Sequence, residues 1–239
     1  GIGIGAPFEL WKWNDLPGRA AEKFSSWKDV DFAAEVAAFS ALPVHVVNDA
    51  TAACRAEHVF GRGLDLTDYA YFFIGSFVGG GVALNGSVVE GLKGNAGAFG
   101  AIRVRGQEGG TAALIDEASL YLLENALTGA GVPAGALWHQ PQDWSGLGPA
   151  LDLWIARSAR ALADAARAVC AVIDFPVVLI DGALPTDVRA RLVAATRAEL
   201  AHLDLRGLTA PSIEEAAVGG NARVIGAATA PAMAKFFEF

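Results

Sequence analysis

The segment YAYFFIGSFVGGGVALNGSVVEGLKGNAGAFGAI, residues 69–102, restricts the fold of this chain more than any other. Its opening run, Tyr69 to Ile74, is continuous in aromatic and β-branched residues, the composition of a buried strand. The run breaks into Gly75, Ser76, Phe77, Val78, Gly79, Gly80 and Gly81 before a second strand, Val82 to Leu84. Asn85-Gly86 then reverses the chain, because a type I′ hairpin turn needs positive φ at both central residues and these two supply it. Ser87 to Val89 is expected to pair back on the second strand. Strand, glycine bend, strand and hairpin leave backbone N–H groups unshielded at a turn, where they can hold a phosphate. The same glycines also serve hairpins that bind nothing, so both readings stand at this point.

With 239 residues, 53% of them hydrophobic and 18% charged, the chain can build a sizeable core as one large domain or two lobes. A net charge of -8 argues against a nucleic-acid surface on this piece and favours small or neutral ligands. Cys54 and Cys170 lie in Ala-rich helical contexts without partner spacing and read as buried thiols of a reducing compartment. The opening GIGIGAPFELWKW has no signal-peptide pattern, and no apolar run reaches spanning length. The expectation is a cytoplasmic protein without membrane contact.

Gly1 to Pro7 reads as the end of a strand running into a loop, as though the chain starts in mid-fold. Phe8 to Trp27, with Asn14, Asp15, Pro17 and Gly18, is either a long ordered loop over a ligand cleft or an apolar strip covered by another segment. Trp11, Trp13 and Trp27 are candidates for stacking on a sugar face or for plain packing. A helix is expected over 31–42, with Phe32, Val36 and Phe39 on its apolar side and Pro43 ending it. Strand Val44 to Val47 delivers Asn48 and Asp49 to its C-terminal end, where ligands bind in open α/β sheets, and helix Ala50 to Phe60 follows. Asp49 is a helix cap, a ligand-binding or catalytic carboxylate, or both. Further on come a strand at Ile102 to Val104, a helix over Leu114 to Leu127 with Ile115, Leu122 and Leu123 buried, and a Gly/Pro/aromatic loop to Trp144. A long helix from Pro149 to Ile173 counts Leu153 among its apolar positions, and strand Val177 to Ile180 ends in Asp181-Gly182. A helix from Pro185 to His202 and an apolar helix over Gly219 to Phe239 complete the chain. The four histidines, at 45, 58, 139 and 202, read as packing or surface residues, while Glu90 and Arg103 flank the glycine segment and are possible ligand contacts.

The order of GIGIGAP, PVHVVNDATAACRAEHVFG, IGSFVGGGVALNGSVVEGLKGNAGAFG, VVLIDGALP and GGNARVIGAA resembles the ROK family of sugar kinases and sugar-responsive repressors over nearly the whole chain. The resemblance implies a two-lobed α/β protein of the actin/hexokinase-like (ribonuclease H-like) ATPase fold, with an incomplete N-terminal lobe. It divides the chain into residues 1–48 as the remainder of that lobe, 49–218 as the C-terminal lobe with the sugar and phosphate loops, and 219–239 as a closing helix returning to the first lobe. It further implies a sugar and ATP cleft and a homodimer. Carried over residue by residue, Asn48 and Asp49 match the family's Asn-Asp pair, in which the Asp contacts the sugar and takes the proton of the attacking hydroxyl. A carboxylate within reach of an oriented nucleophile is what phosphoryl transfer asks for. Gly75, Ser76, Gly79, Gly80 and Gly81 match the second phosphate loop, Gly94, Asn95 and Gly97 the sugar-side loop, and Asp181 and Gly182 the nucleotide side.

Four departures set the functional expectation. Phe77 stands where the family usually has Gly, and its ring takes space that phosphate oxygens need. Ala98 replaces the sugar-binding Glu. Ala101 replaces the zinc-binding His, and no cysteine cluster follows it between Gly106 and Asp116, so zinc is not expected. The first phosphate loop, and any helix-turn-helix before it, would precede Gly1. These changes favour the sugar-sensing domain of a transcriptional regulator, binding a sugar or sugar phosphate without a required cofactor and touching DNA only through a preceding segment. The alternative is a sugar kinase using Mg-ATP with Asp49 as base.

Overall fold

The computed structural model describes residues 1–9, 11, 26–107 and 109–236. Asn14, Asp15, Pro17, Gly18 and Trp13, singled out above, lie outside the described residues.

The buried aromatic run forms the centre of a five-stranded sheet. β1 (Ile2–Ala6) and β2 (Val44–Asn48) make a separate parallel pair, while β3 (Tyr69–Ile74), β4 (Val78–Leu84) and β5 (Ser87–Val89) form a meander. β6 (Arg103–Arg105) and β7 (Thr111–Ala113) are a small antiparallel ribbon. β8 (Val177–Gly182) runs parallel to β3, and β9 (Ser212–Glu215) parallel to β8, giving the order β5-β4-β3-β8-β9. The one antiparallel partner of β3 on its other side is β4. Asn85 and Gly86 have φ of 53° and 73°, as the turn chemistry requires.

Seven α-helices surround these strands among the described residues: α1 (Phe32–Ala37), α2 (Asp49–Phe60), α3 (Ile115–Ala118), α4 (Leu120–Gly129), α5 (Gly148–Val172), α6 (Thr186–Ala201) and α7 (Ala222–Phe236). The residues of β3 divide between two cores. Ala70, Phe72 and Ile74 face a large core with α4, α5 and α6, and Tyr69, Tyr71 and Phe73 face a smaller one with α2 and α7. Helix α7 packs on α2 and β1. It lies so close that a Cβ on Gly226 would sit 1.6 Å from the Ala52 carbonyl oxygen, and one on Gly3 1.8 Å from that of Ala227.

Several expectations are corrected. The second strand starts at Val78, not Val82, and so takes in the triple glycine. The helix expected over 114–127 is broken at Ser119, whose hydroxyl accepts from the Val78 amide and donates to the Ile115 carbonyl, ending α3 and tying the break to β4. Phe39 and Leu153 are exposed, because α1 ends at Ala37 and because Leu153 lies on the solvent face of α5. Arg103 donates to Thr111 across the ribbon.

Both cysteines are free and buried. Burial pushes the Cys54 thiol up to about 12 and that of Cys170 to about 11, from an ordinary 9.0. Below pH 9 the thiols are neutral in folded and unfolded chain alike, and their contribution to stability is fully present. Above it the unfolded chain releases protons that the folded chain retains, so stability falls as pH rises toward the folded values. The unfolding free energy from urea titration is therefore expected to fall progressively between pH 9 and 11, by up to about 1.4 kcal/mol per pH unit for each thiol. A free energy that is flat over this range in the native protein contradicts the burial of these groups.

Candidate functional site

Ala6 and Asn48 are paired at the ends of β1 and β2, so both strands of the small sheet finish at the same level. Asn48 has extended backbone angles and caps α2: its Oδ1 accepts from the amides of Ala50 and Thr51 at 3.0 Å each. Asp49, the first helical residue, then projects from the strand end. Its Oδ1 accepts from the Ala50 amide at 2.9 Å and its Oδ2 from Arg223 Nη1 at 3.2 Å. The cap of α2 is thus Asn48 rather than Asp49.

A cavity of about 320 Å³ opens beside Asn48. Phe8, Trp11, Trp27 and Phe32 supply an aromatic wall, while Asn48, Thr51, Glu90, Lys93 and Gly94 supply the polar one. Apolar surface with a few converging polar groups is the usual make-up of a small-molecule pocket, and aromatic faces suit the C–H faces of a sugar ring. Glu90 is ion-paired with the buried Arg55, which orients its carboxylate at the rim. Of the sugar-side loop, Gly94 lines the cavity, and Asn95 beside it is half-buried. Gly97, with φ of 78°, packs on β4 so tightly that a Cβ would lie 2.6 Å from the Gly81 Cα. Ala98 and Ala101 are exposed.

The glycine segment divides into two parts with different reasons for being glycine. Gly75 and Ser76 form the bend, and their carbonyls accept the first amides of α4, from Leu120 at 3.0 Å and Tyr121 at 3.2 Å. The ring of Phe77 packs on that of Tyr121, with centroids 5.5 Å apart. Gly79, Gly80 and Gly81 instead lie within β4, where added Cβ atoms would meet Ala50, Phe99 and Cys54 at 2.8, 2.4 and 2.4 Å. Close approach of α2 and Phe99 accounts for the triple glycine.

At the end of β8, Asp181 is fully buried. Its Oδ2 accepts from Tyr71 Oη at 2.8 Å and from the Gly219 amide at 3.1 Å, and its Oδ1 from Arg189 Nη1 at 3.1 Å. Burial first, and then the Asp181 charge, push the Tyr71 hydroxyl well above its ordinary 10.0. Asp181 therefore holds the 219–221 turn in place. That turn, with Trp138, Gln140, Gln142 and Ala183, lines a second cavity of about 350 Å³. Gly182 packs against β3, its missing Cβ 2.4 Å from the Ile74 carbonyl oxygen. Among the described residues no group of three or more His, Cys, Asp or Glu is placed to hold a metal ion, and no helix is long and apolar enough to cross a membrane.

Arg223, Thr51 and Lys93 are site residues that sequence reasoning missed. The available signal was at Arg223, a lone charge before a long apolar stretch ending at Lys235.

Residues 15–117 match the model of the ROK family. The chain is 28% identical to uncharacterized protein y4fQ of Sinorhizobium fredii over 244 residues, covering 99% of this chain but only 58% of that protein. A ROK family glucokinase from Streptomyces griseus, solved in complex with glucose and AMPPNP, superposes with a TM-score of 0.69 at 21% identity over 95% of this chain and 79% of its own, a likeness of fold. A ROK family transcriptional regulator, a homologue of the E. coli MLC protein, superposes with a TM-score of 0.59 at 25% identity over 82% of this chain and 53% of its own. The matched segment carries the Asn-Asp pair and the glycine strand, and the chain has the fold of the ROK family kinase and regulator it superposes on.

Proposed function

We propose that the chain is the sugar-binding part of a ROK regulator, a sensor in which Asp49 recognises a sugar without phosphorylating it. The observation that carries this reading is the engagement of Asp49. Its outer oxygen already holds Arg223, and a base that must accept a proton works best unencumbered and within reach of the attacking hydroxyl. The bend supports the same reading: Phe77, whose ring packs on Tyr121, stands where a phosphate loop favours glycine. Asn48, Asp49, Gly94, Asn95 and Gly97 are assigned to the sugar. Gly75, Ser76, Gly79, Gly80, Gly81, Asp181 and Gly182 are assigned to a nucleotide side that has turned structural. Residues 1–48 and 219–239 are assigned to one lobe and 49–218 to the other, with α7 packing on β1 of the first and on α2 of the second. DNA contact and dimer formation belong to the complete regulator, and DNA contact to a segment outside residues 1–239.

A second reading, a sugar kinase with Asp49 as base and Mg-ATP as co-substrate, is favoured by the 350 Å³ cavity at the turn that Asp181 anchors. The residues present fit such a nucleotide in part: Trp138 can face a base, but the bend offers its amides beside an aromatic ring. A melting series separates the two. A sensor is stabilised by sugar and not by Mg-ATP, by about 2.7 kcal/mol at a ligand concentration a hundred times Kd. Stabilisation by Mg-ATP that grows in Phe77→Gly shows a live nucleotide site narrowed by that ring. Stabilisation by Mg-ATP as strong in the native protein as by sugar contradicts the sensor.

A further inference from the structure

Asn48, Thr51 and Arg55 are spaced three and four residues apart, so α2 and its cap carry them on one face. Asn48 and Thr51 line the cavity of about 320 Å³, and Arg55, one turn further along, is buried. A buried guanidinium needs a partner, and β5, packed on α2, leads directly into the residue that supplies it. Arg55 Nη2 donates to Glu90 Oε1, and Glu90 lies on the cavity wall. The backbone is fixed at the same residue: the Glu90 carbonyl accepts from the Ala96 amide at 2.9 Å, which closes the loop that carries Lys93 and Gly94.

The polar groups of this wall divide in kind. Asn48 Oδ1 already accepts from the amides of Ala50 and Thr51 and from the Thr51 hydroxyl at 3.3 Å, which leaves the Asn48 side-chain N–H groups to face a ligand as donors. Glu90 is the opposite case. An ionised carboxylate only accepts, Arg55 occupies one oxygen, and among the described residues nothing donates to the other, while half of the side chain is exposed. Held by Arg55, that oxygen is an acceptor whose ordering on binding costs little. The charges on and directly behind the wall balance, Arg55 and Lys93 against Glu9 and Glu90, so the cavity suits a neutral ligand that donates a hydroxyl to Glu90.

We propose that Glu90, positioned by Arg55, is the specificity-determining residue of the site and selects a sugar by accepting a hydrogen bond from one ring hydroxyl. This rests on the sugar-binding reading above and names the residue that sets its selectivity. Isothermal titration of the full chain with glucose, mannose, galactose and the cationic glucosamine tests it, followed by each monodeoxy derivative of the neutral sugar that binds most tightly. Glu90→Ala is expected to weaken that sugar about tenfold or more. One deoxy derivative should bind the native protein about tenfold more weakly than its parent and lose no more than about twofold further in Glu90→Ala, because both changes remove the same hydrogen bond. Arg55→Lys keeps the charge but not the planar fork, and should lower the parent's affinity while shrinking that position-specific coupling. Where Glu90→Ala strands Arg55 and the chain does not fold, Arg55→Met combined with Glu90→Ala removes both charges and is read in the same way. A parent affinity within about twofold of native in the Glu90 variant, deoxy derivatives all weakened by it as strongly as the parent, or glucosamine bound more tightly than glucose overturns this inference and leaves sugar binding standing. No heat from any of these sugars overturns the sugar reading itself, and this inference with it.

Discussion

Gly226→Ala is expected to be among the most damaging single-methyl changes in the protein. Its Cβ would stand 1.6 Å from the carbonyl oxygen of Ala52, a backbone atom in the middle of α2 that no rotamer change can move. Relief requires α7 to lift off α2, which uncovers the fully buried Ala52 and Ala53 and the β1 contact at Gly3. Overpacking typically costs 1–3 kcal/mol, and the rigidity of both partners puts this case at about 3 kcal/mol or above. For a chain of this size that lowers Tm by roughly 10 °C. The functional consequence goes further, because α7 also delivers Arg223 to Asp49. Sugar binding should weaken in Gly226→Ala even where the protein remains folded. A Tm within about 2 °C of the native value would show that the two helices are not packed as described.

Asp181→Ala is the second large effect. The carboxylate is fully buried and holds Tyr71, Arg189 and the Gly219 amide. Removing it leaves the Tyr71 hydroxyl without its partner at the floor of the sheet, and leaves Arg189 with only the longer contact to Glu215 at 3.3 Å. Breaking a buried pair by deleting one partner typically costs about 3–5 kcal/mol, since the orphaned charge remains buried. Asp181→Asn keeps the shape and the acceptor oxygen and should cost less. Asp181→Ala frees the Gly219 amide, so the 219–221 turn should show faster amide exchange while β1 and β2 keep their protection. Equal stability of Asp181→Ala and the native protein in urea contradicts the network.

Much of this architecture was legible in the sequence because local chemistry and tertiary demand agree. Tyr69 to Ile74 is a central strand as its composition requires, and Asn85-Gly86 takes positive φ at both residues. Where reading failed, the deciding contact is distant in sequence. Nothing near Gly79 to Gly81 announces that Ala50, Cys54 and Phe99 will press on them, so their packing requirement was not legible. Strand β9 is Ser-Ile-Glu-Glu, polar at an edge, and carries almost no strand signal of its own. The break at Ser119 depends on an amide in β4 some 41 positions away. In the candidate site, the place of the Asn-Asp pair at a strand end was readable. The pairing of Asp49 with Arg223 spans 174 positions and was not.

Calorimetric titration of sugar into the intact chain, followed in the same cell by Mg-ATP, tests recognition without turnover most directly. The account predicts a saturable heat of sugar binding that Asp49→Ala weakens, and no sustained heat after the nucleotide is added. Continuous heat release on adding Mg-ATP, dependent on the sugar and lost in Asp49→Asn, would contradict it and establish a kinase.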